Sequence, residues 1–87
     1  MATYHIKWKT SALRELKKID RKMIPRIVSV AESLATNPTP SGTRKICGTD
    51  NTYRIRLGDY RIIYDIHHSI VTIEIIRVRH RKDVYRK

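Results

Sequence analysis

The sequence has very little of several features, and each shortage excludes a class of protein. Cys47 is the only cysteine, so no disulfide can form within the chain, and we interpret it as a small buried residue in a reducing compartment. No run of about 18 apolar residues is present, so no segment is predicted to span a membrane. The first ten residues include His5, Lys7 and Lys9 and lack an apolar core, so no secretory signal is predicted. We therefore expect a cytoplasmic protein.

Acidic residues are also scarce. The chain has 8 Asp and Glu residues against 19 Lys and Arg residues, which gives a net charge of +11. A charge of this size speeds association with polyanions and exceeds what solubility alone requires. Nucleic acid, an anionic membrane surface and an acidic protein are the partners that the charge admits. The length of 87 residues predicts a single domain, residues 1–87, with a modest core.

The first half of the chain predicts a strand followed by two helices. Residues Thr3–Lys9 alternate between apolar and polar side chains, which is typical of a half-buried strand. Ser11 is predicted to cap the N-terminus of a short amphipathic helix. A second, longer helix follows Asp20, with its first residue left open, and ends before Asn37 and Pro38.

The second half of the chain predicts β structure. After a loop that contains a short strand at Arg44–Cys47, three strands are expected at Thr52–Leu57, Tyr60–His67 and Ile70–Arg79. The element order is therefore β-α-α-β-β-β-β. This order predicts an α+β fold, in which the N-terminal helical hairpin packs on one face of an antiparallel sheet.

Two turns set the predicted strand register. Gly58 and Asp59 suit a two-residue type II′ turn, in which glycine takes the first central position. The pairs that follow from this turn are Leu57 with Tyr60, Arg56 with Arg61, Ile55 with Ile62 and Arg54 with Ile63. A second turn at His68 and Ser69 would pair Ile66 with Val71, Tyr64 with Ile73 and Ile62 with Ile75.

The first hairpin places three arginines on the face of the sheet opposite the core. Arg54, Arg56 and Arg61 share this face because side chains alternate along a strand. Arg56 directly opposite Arg61 is a destabilising like-charge pair, whereas a planar guanidinium binds phosphate through two hydrogen bonds. Residues 77–87 add six basic residues against one acid, and Tyr85 among them can stack on a nucleic-acid base. We predict a site that binds a polyanion, with RNA as the favoured one.

Two motifs resemble those of a known family. Residues Tyr53–Tyr64 read YRIRLGDYRIIY and residues Val78–Tyr85 read VRHRKDVY. Together with the N-terminal strand, the helical hairpin and the Asn-Pro stop, they resemble the RelE/ParE toxin superfamily. The resemblance implies a toxin of a type II toxin–antitoxin system, and in its RelE-type members an endoribonuclease that cleaves mRNA on the ribosome.

The resemblance also implies a reaction and a set of partners. RelE-type toxins enter the ribosomal A site, where the 2′-hydroxyl of the RNA attacks the neighbouring phosphate. The products are a 2′,3′-cyclic phosphate and a 5′-hydroxyl, and neither a metal nor a cofactor is used. The implied partners are mRNA in the A site, 16S rRNA and a cognate antitoxin that forms a hetero-oligomer with the toxin, with no membrane involved.

The residues implied for the site are two basic residues before the hairpin turn, an arginine after it, another beyond the last strand, and a tyrosine near the C-terminus. By motif these are Arg54, Arg56, Arg61, Arg81 and Tyr85. Well-studied relatives have lysines at the first two positions. Arginine does not lose its proton, so we assign Arg54 and Arg56 to charge stabilisation and substrate clamping. His80 is a candidate general base or acid, because histidine is the side chain best suited to proton transfer near neutral pH, with orientation or packing as its alternative role. The identity of the general base stays open.

Two other functions remain open from the sequence. The first is a ParE-like inhibitor of DNA gyrase, which shares the fold but generally lacks the basic catalytic set and the terminal tyrosine. The second is a module that binds RNA or the ribosome without cutting, which the charge pattern alone does not exclude. Salt weakens binding to nucleic acid in either RNA case, so only cleavage products distinguish the enzyme from the binding module.

Overall fold

The computed structural model describes residues 3–80, which form two helices and a five-stranded sheet. In chain order the elements are β1 (His5–Trp8), α1 (Thr10–Lys17), α2 (Ile24–Ser33), β2 (Thr43–Lys45), β3 (Thr52–Leu57), β4 (Tyr60–His67) and β5 (Thr72–His80). The strand order across the sheet is β1-β5-β4-β3-β2. Neither helix within residues 3–80 has the length and apolar character that crossing a membrane requires.

The predicted α+β architecture is confirmed, with one difference in strand direction. The pairs β2–β3, β3–β4 and β4–β5 are antiparallel, whereas β1 runs parallel to β5, so the sheet is mixed. The two helices connect β1 to the far edge of the sheet, and the chain then returns strand by strand until β5 lies beside β1. The direction of β1 is thus fixed by the last strand of the meander rather than by a turn of its own.

The core lies between the helices and one face of the sheet. Every second residue of the central strands is buried there, because side chains of a strand alternate between its two faces. The buried residues are Ala12, Ile27, Ala31 and Leu34 from the helical segment, and Ile55, Ile62, Tyr64, Ile66, Ile73, Ile75 and Val78 from the strands. The hydroxyl of Tyr64 donates a hydrogen bond of 2.6 Å to the carbonyl oxygen of Pro38, which satisfies the polar end of this buried ring.

The first hairpin has the register that its turn predicts. Leu57 lies opposite Tyr60, and Arg56 lies opposite Arg61. Gly58 has a φ of +58°, while Asp59 stays outside the left-handed region. This combination is that of a type II′ turn, in which only the first central residue requires positive φ.

The predicted register of the second hairpin is wrong. The residues opposite Ile66, Tyr64 and Ile62 are Ile73, Ile75 and Val78, not Val71, Ile73 and Ile75. The cause is a longer turn, since His68–Ile70 form a short 3₁₀ helix and Val71 then adopts a left-handed conformation with a φ of +48°. The resulting shift of two residues keeps Ile73 and Ile75 facing the core, so the alternation of apolar residues did not reveal it.

A β-bulge in β5 changes which residues face outward. The pairing with β4 shifts between Ile63 and Tyr64, and this leaves Ile76 as an extra residue in β5. Beyond the bulge Val78 points into the core. Consequently Arg77 and Arg79 lie on the opposite, outer face.

Two further predictions are wrong in detail. Helix α1 begins at Thr10 with Lys9 at the capping position, and no side chain caps it. The hydroxyl of Ser11, predicted to be the cap, instead donates a hydrogen bond of 3.1 Å to the carbonyl oxygen of Ile76 in the bulge. Cys47 is exposed rather than buried, because the segment between β2 and β3 lies at the edge of the sheet.

Candidate active site

The outer face of the sheet collects arginines from four strands. The register places Arg44 opposite Arg54 and places Arg61 between Arg56 on one side and Arg79 on the other. Arg77 joins them on the outer face through the bulge in β5. We call this set the arginine face; it comprises Arg44, Arg54, Arg56, Arg61, Arg77 and Arg79.

Three of these arginines form a row across the strands. Arg56, Arg61 and Arg79 come from β3, β4 and β5, and because neighbouring strands lie about 4.8 Å apart, their backbones span about 10 Å. Next to the row is a groove of about 120 Å³, lined by Gly42, Arg44, Arg54, Arg56 and Arg61. Like charges held this close repel one another, and an anion placed among them relieves the repulsion.

Few acidic groups neutralise the arginine face within residues 3–80. In this range Arg44, Arg54 and Arg56 make no ion pair, and the Nε of Arg56 donates to the carbonyl oxygen of Gly58 at 3.3 Å. The carboxylate of Glu15 on α1 contacts Arg77 and Arg79. The groove therefore presents guanidinium groups whose donors fit the oxygens of a phosphate.

The other end of the same sheet face is acidic. Asp65 lies opposite Glu74, and the Nε2 of His67 is 3.4 Å from the Oε1 of Glu74. The hydroxyl of Thr52 donates to Asp65 at 2.5 Å. Ligand atoms of the two carboxylates and the imidazole lie within 4.8 Å of one another, which is close enough for a metal ion, but hydrogen bonds and the ion pair already account for the cluster. The carboxylates repel phosphate, so they mark the limit of the anion-binding part of the face.

Of the predicted site residues, three arginines lie together and His80 lies on the other side of the sheet. Arg54, Arg56 and Arg61 share one face, as the hairpin register predicts. His80 lies on the helix side of the sheet, where its ring is perpendicular to that of Tyr60 with 5.0 Å between the centroids. It lines a cavity of about 390 Å³ there with Glu15, Lys18, Ile19, Tyr60 and Val78. The remaining predicted residues, Arg81 and Tyr85, lie outside the described residues.

Three members of the arginine face were not predicted from the sequence. Arg44 could have been found, because a three-residue strand paired with β3 places its central residue on the same face as Arg54. The sequence also carries a signal for Arg77 and Arg79, because strict alternation from Ile73 and Ile75 would bury both arginines and expose Val78. The adjacent apolar residues Ile75 and Ile76 indicate an inserted residue, and the bulge at Ile76 turns both arginines outward.

Known proteins that resemble this chain are toxins of toxin–antitoxin systems. Residues 6–85 match the family model described as "ParE toxin of type II toxin-antitoxin system, parDE". Toxin RelG of Mycobacterium tuberculosis is 33% identical over 88 residues, which cover 97% of this chain and 98% of that toxin.

Two solved complexes have the same fold with 28% sequence identity and a TM-score of 0.80. They are the toxin–antitoxin complex RelBE2 of Mycobacterium tuberculosis, with 91% of this chain and 99% of the matched chain covered, and the archaeal RelE–RelB complex of Pyrococcus horikoshii, with 91% and 96% covered.

Proposed function

We propose that this chain, which belongs to the ParE toxin family of type II toxin–antitoxin systems, is a ribosome-dependent endoribonuclease that cleaves mRNA in the A site. The arginine face carries this proposal. A row of guanidinium groups beside an arginine-lined groove fits a phosphodiester whose negative charge increases in the transition state.

The proposed reaction is attack of the RNA 2′-hydroxyl on the adjacent phosphate. As the O–P bond forms and closes a 2′,3′-cyclic phosphate, the 2′-hydroxyl gives its proton to water. As the bond to the 5′-oxygen breaks, that oxygen takes a proton from water and leaves as a 5′-hydroxyl. Arg61 and Arg79, adjacent in the row, stabilise the pentacoordinate phosphorane, while Arg54 and Arg56 clamp the flanking backbone. Holding the 2′-oxygen in line with the leaving oxygen contributes a large share of the acceleration.

The arginines of the groove do not transfer protons in this proposal. An arginine side chain does not lose its proton in proteins, so the guanidinium groups that line the groove act through charge and hydrogen bonding rather than as bases. His80 lies on the other side of the sheet, so the proposal gives it no step. For Arg81, which lies outside the described residues, we propose stabilisation of the phosphate and of the leaving group. For Tyr85, also outside them, we propose stacking on a base or orientation of the 2′-hydroxyl.

The proposed setting is the cytoplasm, with mRNA and 16S rRNA as the polyanionic partners. The net charge of +11 favours rapid encounter with ribosomal RNA. A cognate antitoxin is the proposed protein partner, as in the RelBE2 and RelE–RelB complexes that resemble this chain.

The test is to map cleavage in a reconstituted translating system. Arg61→Gln removes one phosphate-stabilising group, and we expect cleavage to fall by about 100-fold or more, the effect typical of a lost transition-state donor. Arg26→Gln is the matched control, since Arg26 is an exposed arginine of α2 and lies outside the arginine face. Product ends that carry a 2′,3′-cyclic phosphate and a 5′-hydroxyl are expected. Equal cleavage by both variants would contradict the site assignment.

Inhibition of DNA gyrase is the second candidate, favoured by the ParE family model that matches the chain. Purified gyrase distinguishes the two functions. DNA breaks that depend on gyrase, without mRNA cleavage, would support the second candidate. Binding to ribosomes without cleavage of mRNA or DNA would instead indicate a non-enzymatic binding module.

A further inference from the structure

The outer edge of β5 has two different partners along its length. Strand β1 pairs with β5 only as far as Ile75. Beyond that residue, side chains of helix α1 form hydrogen bonds with the backbone of β5. The hydroxyl of Ser11 donates to the carbonyl oxygen of Ile76 at 3.1 Å, and the amide of Val78 donates to the Oε1 of Glu15 at 3.0 Å. Ser11 and Glu15 are four residues apart and so lie on the same face of the helix. Two helical side chains thus replace a strand along the bulged part of β5.

The second carboxylate oxygen of Glu15 forms ion pairs with two arginines of β5. Its Oε2 lies 3.3 Å from the Nε of Arg79 and 3.6 Å from the Nη1 of Arg77. The carboxylate is only 24% exposed, compared with 35% for the Arg79 side chain. One side chain of α1 therefore binds the backbone of β5 at Val78 and the guanidinium group of the next residue.

The contact at Nε fixes Arg79 without occupying it. A guanidinium group has five N–H donors, and the single Nε–H does not include the four on the two Nη atoms. Within residues 3–80 no ion pair engages the Nη atoms of Arg79, so their donors can bind a phosphate. A long arginine side chain loses rotamer freedom when it binds, and a side chain that is already oriented loses less of it.

We propose that Glu15 is a positioning residue that holds Arg79 beside Arg61 for stabilisation of the phosphorane that forms at the scissile phosphate. The inference rests on the proposed function, because it assumes that Arg79 acts on a phosphodiester. Glu15 does not contact the RNA. Its effect passes through Arg79, and it keeps that arginine on the outer face by securing the segment that follows the bulge.

The substitution Glu15→Gln separates positioning from folding. The amide oxygen of glutamine still accepts the hydrogen bond from the amide of Val78, whereas the negative charge that pairs with the arginines is lost. Glu32→Gln is the matched control. Glu32 is an exposed residue of α2 whose side chain makes no hydrogen bond or ion pair within residues 3–80, and its substitution changes the net charge equally.

The first measurement is steady-state cleavage of mRNA on programmed ribosomes with the full chain. We expect Glu15→Gln to lower kcat by about 10-fold with KM within twofold of wild type, and Glu32→Gln to change neither. The thermal midpoints of both variants should agree within 2 °C, so that a smaller folded fraction does not explain the loss. Cleavage by Glu15→Gln at the rate of Glu32→Gln would overturn the proposal. In the Arg79→Ala background, Glu15→Gln should have no further effect, and an undiminished 10-fold loss there would also overturn it.

A second measurement does not depend on activity. In the free protein, NMR relaxation of the Arg79 Nε should give an order parameter of about 0.8, and Glu15→Gln should lower it below about 0.6. An unchanged order parameter would show that Glu15 does not hold Arg79. If wild-type protein does not cleave mRNA, the proposed function fails, and this relaxation measurement still decides whether Glu15 orients the arginine.

Discussion

Arg44→Glu should stabilise the fold while weakening RNA binding. Arg44 lies on the edge strand β2 directly opposite Arg54, and Arg56 is its diagonal neighbour on β3. The substitution replaces a like-charge pair with an ion pair, and the acidic cluster at Asp65 and Glu74 is not among its neighbours in the sheet. The gain in stability and the loss of binding have the same cause, because the repulsion among the arginines is what an RNA phosphate relieves.

The expected magnitude follows from cross-strand pairing. Relief of a like-charge pair and formation of an opposite-charge pair each contribute about 0.2–1 kcal/mol. Arg44 is exposed, so screening favours the lower half of the sum, about 0.5–1 kcal/mol. For a domain of this size that corresponds to an increase of about 2–8 °C in Tm. The loss of one phosphate contact should also lower the slope of log K for single-stranded RNA against log salt by about 0.7.

The assay is thermal and chemical unfolding at low and high salt. The Debye length is about 30 Å at 0.01 M and about 3 Å at 1 M salt, so the gain from Arg44→Glu should be present at 0.01 M and largely absent at 1 M. Arg26→Glu on α2 changes the net charge equally, and its stability should stay within about 0.5 kcal/mol of wild type. An equal gain for both variants, or a gain that persists at 1 M salt, would refute the repulsion argument.

Two further predictions concern stability. Val71 is a β-branched residue with a φ of +48°, so Val71→Asn should stabilise the protein by about 0.5–1 kcal/mol in urea unfolding, while Ile70→Asn beside it should not. Tyr64→Phe should cost about 0.5–1.5 kcal/mol at pH 7, because it leaves the part-buried carbonyl of Pro38 without its donor, whereas Tyr53→Phe should cost less. Burial raises the pKa of Tyr64 above 10.0, so its stabilising effect is complete below pH 10 and is lost as the pH rises through the folded-state pKa. The difference between wild type and Tyr64→Phe should therefore narrow above pH 10, and a constant difference would contradict this account.

The sequence by itself determined the family, the order of the elements and the first hairpin. The motif YRIRLGDYRIIY predicted membership of the toxin superfamily, and the family match over residues 6–85 confirms it. The two-residue turn at Gly58 and Asp59 fixed the register from Leu57 and Tyr60 onward, because a turn this short leaves the flanking strands one way to pair. Arg54, Arg56 and Arg61 could therefore be placed on one face from sequence alone.

Only the tertiary structure decided the second hairpin and with it the other half of the arginine face. The inward and outward alternation of residues is unchanged by a shift of two, so it did not distinguish the predicted register from the observed one. The bulge at Ile76 reverses the alternation, and its partners come from distant parts of the chain. Ser11 binds the carbonyl of Ile76 across 65 positions, and Glu15 binds the amide of Val78 across 63. The orientation of Arg77 and Arg79 thus depends on a bulge that contacts with α1 hold in place.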